Sequence, residues 1–432
     1  MLRRHAEVPI GGGSDVSISR TLGPRRLVAV IAGTRPEAVK VAPVIRQLAS
    51  SPTLAPLVVS TSQHREMTRR IFDDFGISVD VDLDVMRPRQ NLWDLTARVA
   101  SKMGALFHEA PVAAVLVQGD TTSAFVGALA AFYHRIPVGH IEAGLRSHDR
   151  YSPFPEEINR MLLGRIANWH FAPTSHAAGQ LRRENVAGCD IFMTGNTVVD
   201  ALQWMVERVS DESLPAPVRS NESRLVLVTC HRRENLGQPM AEVAQAVRDL
   251  AALHDDLHFL FPVHPNPAVR DAVYPVLSDH PRVTLCEPLG YDEFLAALKS
   301  AWLVLSDSGG VQEEATALGR PVLVLRKETE RPEGVKAGTL KLVGTDRTRI
   351  VDEVARLHSS RAAYAKMTKG SKVFGDGHAA ERIVAILEEK LHSPAPRSVA
   401  RRKSAKAKST SSWSKEKTGA VPIAPAKGGV RV

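Results

Sequence analysis

Residues 307–314 read Asp-Ser-Gly-Gly-Val-Gln-Glu-Glu and follow, after Ser306, the apolar run Trp302-Leu303-Val304-Leu305. A buried strand that ends in Ser308-Gly309-Gly310 and turns into a helix aims unpaired backbone N–H groups and the positive helix end at one point. That setting suits phosphate oxygens. Glu314 falls about one turn further on, within reach of ribose hydroxyls. The chemistry on offer is nucleotide binding, although two glycines at such a turn also serve where the chain only needs a tight bend.

Five other polar junctions each follow an apolar run, the place where open parallel sheets bind ligands. In Gly33-Thr34-Arg35-Pro36-Glu37-Ala38-Val39-Lys40 the proline suits a first helical turn, and Lys40 can point the same way as Arg35, a cation pair for an anionic ligand. The competing arrangement leaves Lys40 in solvent and pairs Arg35 with Glu37. Gln118-Gly119-Asp120-Thr121-Thr122 offers a carboxylate that either does chemistry or caps the next helix. His140-Ile141-Glu142-Ala143-Gly144 supplies a second acid, and Gly144 would let the backbone approach a ligand closely. Beyond the loop 147–155 comes Glu156; Asp120, Glu142 and Glu156 converge if the first two leave neighbouring strands. Thr229-Cys230-His231-Arg232-Arg233 sets a histidine at a strand end, and Pro262-Val263-His264-Pro265 repeats the placement in a rigid loop, where His264 reads as structural.

No histidines and acids recur at close ligand spacing and His264 stands alone, so no metal is expected. No Gly-x-Gly-x-x-Gly follows the first strand, and no serine elbow occurs. What remains is acid–base chemistry on a phosphate-bearing ligand held between two domains, without a cofactor.

The elements that must position these residues alternate. Residues 27–32, 57–61, 113–118, 137–141 and 169–172 read as buried parallel strands, apolar throughout, with helical windows such as 36–48 and 122–133 between them. A Pro/Ser/Asp-rich interval at 211–223 breaks the series, which restarts with strands at 224–229, 257–262, 283–286, 302–305 and 321–325. This is a doubly wound α/β pattern with domains at 26–205 and 206–371, and a helix within 372–392 that packs back on the first.

With 432 residues, 44% of them apolar, the chain has room for such cores. Its formal charge of +9 belongs to the tail: from Ser393 on there are 10 Lys and Arg against one acid, Glu416, leaving 46 of each sign before it. The tail 393–432 reads as disordered and residues 1–25 as a flexible extension. A nucleic-acid partner is not expected, the tail being the only candidate to hold one. No apolar signal core follows Arg3 and Arg4, and no run approaches the roughly 18 apolar residues of a membrane span. Cys189, Cys230 and Cys286 fit neither a disulfide framework nor a CxxC site, so a reducing cytoplasm is the expected setting.

Taken in order, Gly33-Thr34-Arg35-Pro36-Glu37-Ala38-Val39-Lys40, Gln63-His64-Arg65-Glu66-Met67, Gly119-Asp120-Thr121-Thr122, His140-Ile141-Glu142-Ala143-Gly144-Leu145-Arg146, Pro155-Glu156-Glu157-Ile158-Asn159-Arg160, His231-Arg232-Arg233-Glu234-Asn235, the 307–314 segment and Thr329-Glu330-Arg331-Pro332-Glu333 resemble the bacterial non-hydrolysing UDP-N-acetylglucosamine 2-epimerases. The resemblance spans about residues 26–392. It implies an α/β GT-B architecture, two Rossmann-like doubly wound domains facing across a cleft, and a homodimer. It implies reversible C2 epimerisation of UDP-N-acetylglucosamine to UDP-N-acetylmannosamine, through anti elimination of UDP to 2-acetamidoglucal and re-addition. Asp120, Glu142 and Glu156 would be the essential carboxylates, with the base among them left open, and His231 the essential histidine at the diphosphate. Arg35 and Lys40 would contact the substrate, Ser308, Gly309 and Gly310 hold phosphate, Glu314 the ribose, Leu289 and Phe294 the uracil, and Arg331 the sugar–diphosphate region. Gln63, His64 and Arg65 resemble part of a second, regulatory site. A 2-epimerase of UDP-2,3-diacetamido-2,3-dideoxy-glucuronate and a GT-B glycosyltransferase are the alternative activities.

Overall fold

A computed structural model describes residues 8–10, 14–16, 25–63, 65–87, 90–219, 222–369 and 372–392. The disorder expected of 393–432 and the assignment of His64 lie outside the described residues. Within the extension expected to be flexible, β1 (Val8–Ile10) pairs antiparallel with β2 (Ser14–Val16).

Seven parallel strands build the first sheet: β3 (Arg26–Ala32), β4 (Leu54–Ser60), β5 (Val81–Asp82), β6 (Val112–Gln118), β7 (Val138–Ile141), β8 (Trp169–Ala172) and β9 (Ile191–Met193), ordered β5-β4-β3-β6-β7-β8-β9. Six build the second: β10 (Arg224–Thr229), β11 (Leu257–Pro262), β12 (Val283–Cys286), β13 (Ala301–Ser306), β14 (Val322–Val324) and β15 (Leu340–Leu342), ordered β12-β11-β10-β13-β14-β15. The central strands are apolar through their middles because helices cover both faces, so consecutive positions are buried rather than every second one. In each sheet the winding reverses beside the first strand, between β3 and β6 and between β10 and β13. Such a switch point leaves a crevice at the carboxyl ends of the strands.

The two halves share an apolar core. Ile45 and Leu48 of the helix Arg35–Ser50 and Leu202 of the helix Thr197–Val206 belong to one buried cluster with Leu295 and Ala315 of the second half. The helix Ala379–His392 packs on the helices Arg35–Ser50 and Thr197–Val206 and adds Ile383 and Leu387 to that cluster. Each such side chain contributes about 1.5–3 kcal/mol. Polar contacts set its position: Ala380 N–H donates to Asp200 at 2.8 Å, and the Ser51 hydroxyl donates to Glu388 at 2.6 Å. Among the described residues, no helix is long and apolar enough to cross a membrane.

Candidate active site

A cavity of about 330 Å³ opens at the switch point of the second sheet, where Thr229, Cys230 and His231 end β10 and Ser308 follows β13. Arg35, Lys40 and Val198 from the first half close it on the other side. The helix Gly309–Ala317 begins here with Ser308 as its N-cap, and the Ser308 side chain makes no capping hydrogen bond. Its first N–H groups are therefore aimed at the cavity as an anion site. Leu289 and Phe294 form an apolar end together with Tyr291, which sequence reasoning missed.

Glu314 lines the cavity and is buried, with the Tyr291 hydroxyl donating to it at 3.2 Å. Burial pushes its pKa up to about 7, against the opposing pull of Arg35, whose guanidinium lies over the Tyr291 ring at 5.6 Å.

Asp307 organises the histidine loop and is the other residue the sequence reading passed over. One oxygen of this fully buried carboxylate accepts the backbone N–H groups of His231 (2.9 Å) and Arg232 (2.8 Å) and the Asn235 amide (2.9 Å). The other has no hydrogen-bond partner among the described residues and lies 3.5 Å from His231 Nδ1. His231 also stacks on His264, with ring centroids 5.7 Å apart. His264 is thus a cavity wall as well as a turn lock, since its Nδ1 accepts the Asn266 N–H at 3.1 Å. An acid placed between an apolar strand and Ser-Gly-Gly was the available signal for Asp307.

On the first half, Pro36 takes the first helical turn as expected. Lys40 is not in solvent, and Glu37 does not pair with Arg35. Glu37 is buried and accepts the N–H groups of Gly33 (2.9 Å) and Thr34 (2.8 Å) and the hydroxyl of Thr121 (2.6 Å). Lys40 Nζ lies 2.7 Å from Glu142 and 3.3 Å from Glu313. Arg331 lies 2.9 Å from Glu313 and 3.7 Å from Glu142. These four buried side chains form a ring of alternating charge that bridges the halves. Burial pushes the Lys40 pKa down, but the two carboxylates outweigh it and leave the group firmly charged. A Cβ on Gly309 would fall 2.8 Å from the Arg331 guanidinium, so glycine there makes its seat. Glu142 adopts φ +65°, a left-handed conformation that costs about 1–3 kcal/mol in a non-glycine residue.

Asp120 does not cap the helix Thr122–Tyr133; the Thr121 side chain does. Asp120 is instead ion-paired with Arg160. Glu156 lies near enough to feel its charge, and burial followed by that negative neighbour raises the Glu156 pKa. β6 and β7 are indeed adjacent, yet the acids beyond them have different company. Asp120 groups with Glu156, while Glu142 belongs to the charged ring. None of the three lines the cavity; Glu142 reaches its wall through Lys40.

Gly144 does not provide a ligand approach, because a Cβ there would fall 2.3 Å from the Ala177 carbonyl oxygen. It lets the helix Ser175–Arg183 pack close. Of the regulatory candidates, Gln63 accepts the Ser123 hydroxyl at 3.2 Å, whereas Arg65 is exposed and pairs with Asp82 (3.3 Å) and Asp84 (3.5 Å). They have separate partners.

Residues 46–388 match the family described as UDP-N-acetylglucosamine 2-epimerase. The UDP-N-acetylglucosamine 2-epimerase of Escherichia coli K12 is 46% identical over 368 residues, 84% of this chain and 98% of that protein. The Bacillus subtilis enzyme of the same name is 46% identical over 357 residues, 83% of this chain and 93% of that protein. The crystal structure of the Neisseria meningitidis UDP-GlcNAc 2-epimerase bound to UDP-GlcNAc matches with a TM-score of 0.80 at 41% identity, covering 84% of this chain and 100% of that one. Sharing with these enzymes both its paired parallel sheets, a GT-B-like arrangement, and close to half of its residues over most of its length, the chain belongs to the UDP-N-acetylglucosamine 2-epimerase family.

Proposed function

We propose that the protein interconverts UDP-N-acetylglucosamine and UDP-N-acetylmannosamine by anti elimination of UDP and re-addition. The observation that carries this reading is the meeting at one cavity of an uncapped helix end and His231 with Arg35 and Lys40 of the other half. The C2–H beside an N-acetyl group is barely acidic, so a direct proton swap is too slow. Breaking the C1–O bond to UDP as the proton leaves lets the C–H electron pair form the C1=C2 bond of 2-acetamidoglucal. UDP oxygen then attacks C1 while a proton reaches the other face of C2. Two faces call for two acid–base groups, or one able to reach both. Asp120, Glu142 and Glu156 are the candidates for these roles, and Glu156, with its raised pKa, suits proton delivery. Lys40, Arg331, His231 and the helix end at Ser308 would stabilise charge as it develops on departing UDP. Closure of the two halves keeps the glucal from water.

Proton NMR of the protein with UDP-N-acetylglucosamine in D₂O, without added cofactor, tests this. The manno epimer should appear with deuterium at C2. Exchange seen only with UDP-2,3-diacetamido-2,3-dideoxy-glucuronate would shift the substrate, and sugar transfer to an acceptor without C2 exchange would overturn the reading.

A homodimer belongs to the same proposal. The helices Leu92–Glu109, Thr122–Tyr133 and Glu156–Ile166 pack in sequence and expose Trp93 (83%), Phe132, Tyr133, Met161 and Leu162, a face that a second copy would cover. A cytoplasmic setting is supported by three free cysteines.

A further inference from the structure

The amino ends of β10 and β11, at the opposite edge of the second sheet from the cavity, carry a cluster that epimerisation does not use. His254 is the C-cap of the helix Gln238–Leu253, Asp256 immediately precedes β11, and His358 lies in the last turn of the helix Arg347–Ser359. One ligand-capable atom from each lies within 4.8 Å of the others. His358 Nε2 is 2.9 and 3.0 Å from the two Asp256 oxygens, and the His254 and His358 rings face each other with centroids 4.3 Å apart. His254 Nε2 is shut off from solvent and has no hydrogen-bond partner among the described residues.

An imidazole nitrogen buried without a partner is costly. Two imidazoles and one carboxylate are also the donor set that borderline divalent ions take, with a fourth position left to water. We propose that His254, Asp256 and His358 bind one divalent transition-metal ion of the zinc class. Two ligands on one tetrahedral ion with bonds of roughly 2.0–2.2 Å stand roughly 3.3–3.6 Å apart, so His358 and Asp256, in direct contact at 2.9 Å, need part only slightly to admit an ion. Arg224, 3.7 Å from Asp256, competes for the carboxylate and limits the affinity.

Strands of six residues span roughly 20 Å, so an ion here would tie two helices to the sheet far from the reacting sugar. Its role is structural. The sequence reading expected no metal because it sought ligands close together along the chain, whereas His358 stands 102 positions from Asp256.

The test titrates zinc chloride calorimetrically into untagged, chelator-treated full-length protein and into His254→Ala and His358→Gln, with thermal unfolding followed in parallel. One site per chain is expected. Each variant should lose more than the roughly 10–100-fold in affinity that removing a ligand's own hydrogen-bond partner costs. Zinc should raise the Tm of the unaltered protein only, and epimerisation rates should be equal in all three. Cobalt in place of zinc should give the visible absorption of a four-coordinate site, lost in both variants. Absence of zinc binding by the unaltered protein, or full-strength binding in either variant, overturns the proposal. Circular dichroism establishes folding; if His254→Ala does not fold, His358→Gln and the cobalt spectrum decide the matter.

Discussion

Glu314 should cost the empty enzyme stability above neutral pH, and replacing it by glutamine should restore what is lost. Its carboxyl is buried at the cavity wall, and burial raises its pKa from 4.5 to about 7. Between those values the folded chain holds a proton that the unfolded chain has released, so stability falls as pH rises through that window. The gap of about 2.5, at about 1.36 kcal/mol per pH unit, sets a ceiling of about 3.4 kcal/mol. About 0.8 kcal/mol of this is already lost at pH 5 and about 3.3 kcal/mol at pH 8. Glu314→Gln does not titrate, so it should gain about 2.5 kcal/mol on the unaltered protein between pH 5 and pH 8, whatever fixed cost its amide adds at both. Urea unfolding at the two pH values measures the change. If the gap between the proteins moves by less than about 0.5 kcal/mol, within the error of extrapolation, burial does not hold this carboxyl protonated. Ribose hydroxyls donating to the ionised carboxylate would reverse the effect. UDP binding near pH 6.5 should then release protons, seen by calorimetry in buffers of different ionisation enthalpy, and Glu314→Gln should release none.

Asp307→Asn, which leaves the fold in place but unfixes the His231 ring, should lower kcat by about 100-fold or more with KM little changed; steady-state kinetics with unaltered kcat would remove Asp307 from the mechanism. Lys40→Ala leaves the two buried carboxylates Glu142 and Glu313 to share Arg331 alone and should cost about 3–5 kcal/mol in chemical denaturation, far above the loss expected of a surface lysine. Trp93→Asp combined with Phe132→Asp should convert a dimer to a monomer by light scattering, and a dimer that persists would place the interface elsewhere.

The central strands were legible because burial on both faces leaves an unbroken apolar run. β5, β9 and β15 were not, since each has two or three residues with partly exposed positions, whereas the equally short β14 is apolar and buried throughout. At the site, Arg35, Lys40, His231, Leu289, Phe294, Ser308, Gly310 and Glu314 do line one cavity. Their partners were out of reach, because local reasoning weighs near neighbours. It considered Glu37 as a partner for Arg35, whereas the Lys40, Glu142, Arg331 and Glu313 ring joins residues from three distant parts of the chain. The capping role offered to Asp120 went to Thr121, one position on, whose hydroxyl accepts the Ala124 N–H at 3.0 Å.

The return of the helix Ala379–His392 also orders events in time. Its Ile383 and Leu387 join the apolar cluster that includes Ile45, Leu48 and Leu202. A ribosome adding roughly 5–20 residues per second needs on the order of 10–30 s to make the roughly 170 residues between Val206 and that helix. Throughout that interval the emerging first half lacks its covering helix and presents a greasy surface to chaperones or to neighbouring nascent chains. The second sheet is synthesised, and free to fold, before the first half receives its last helix.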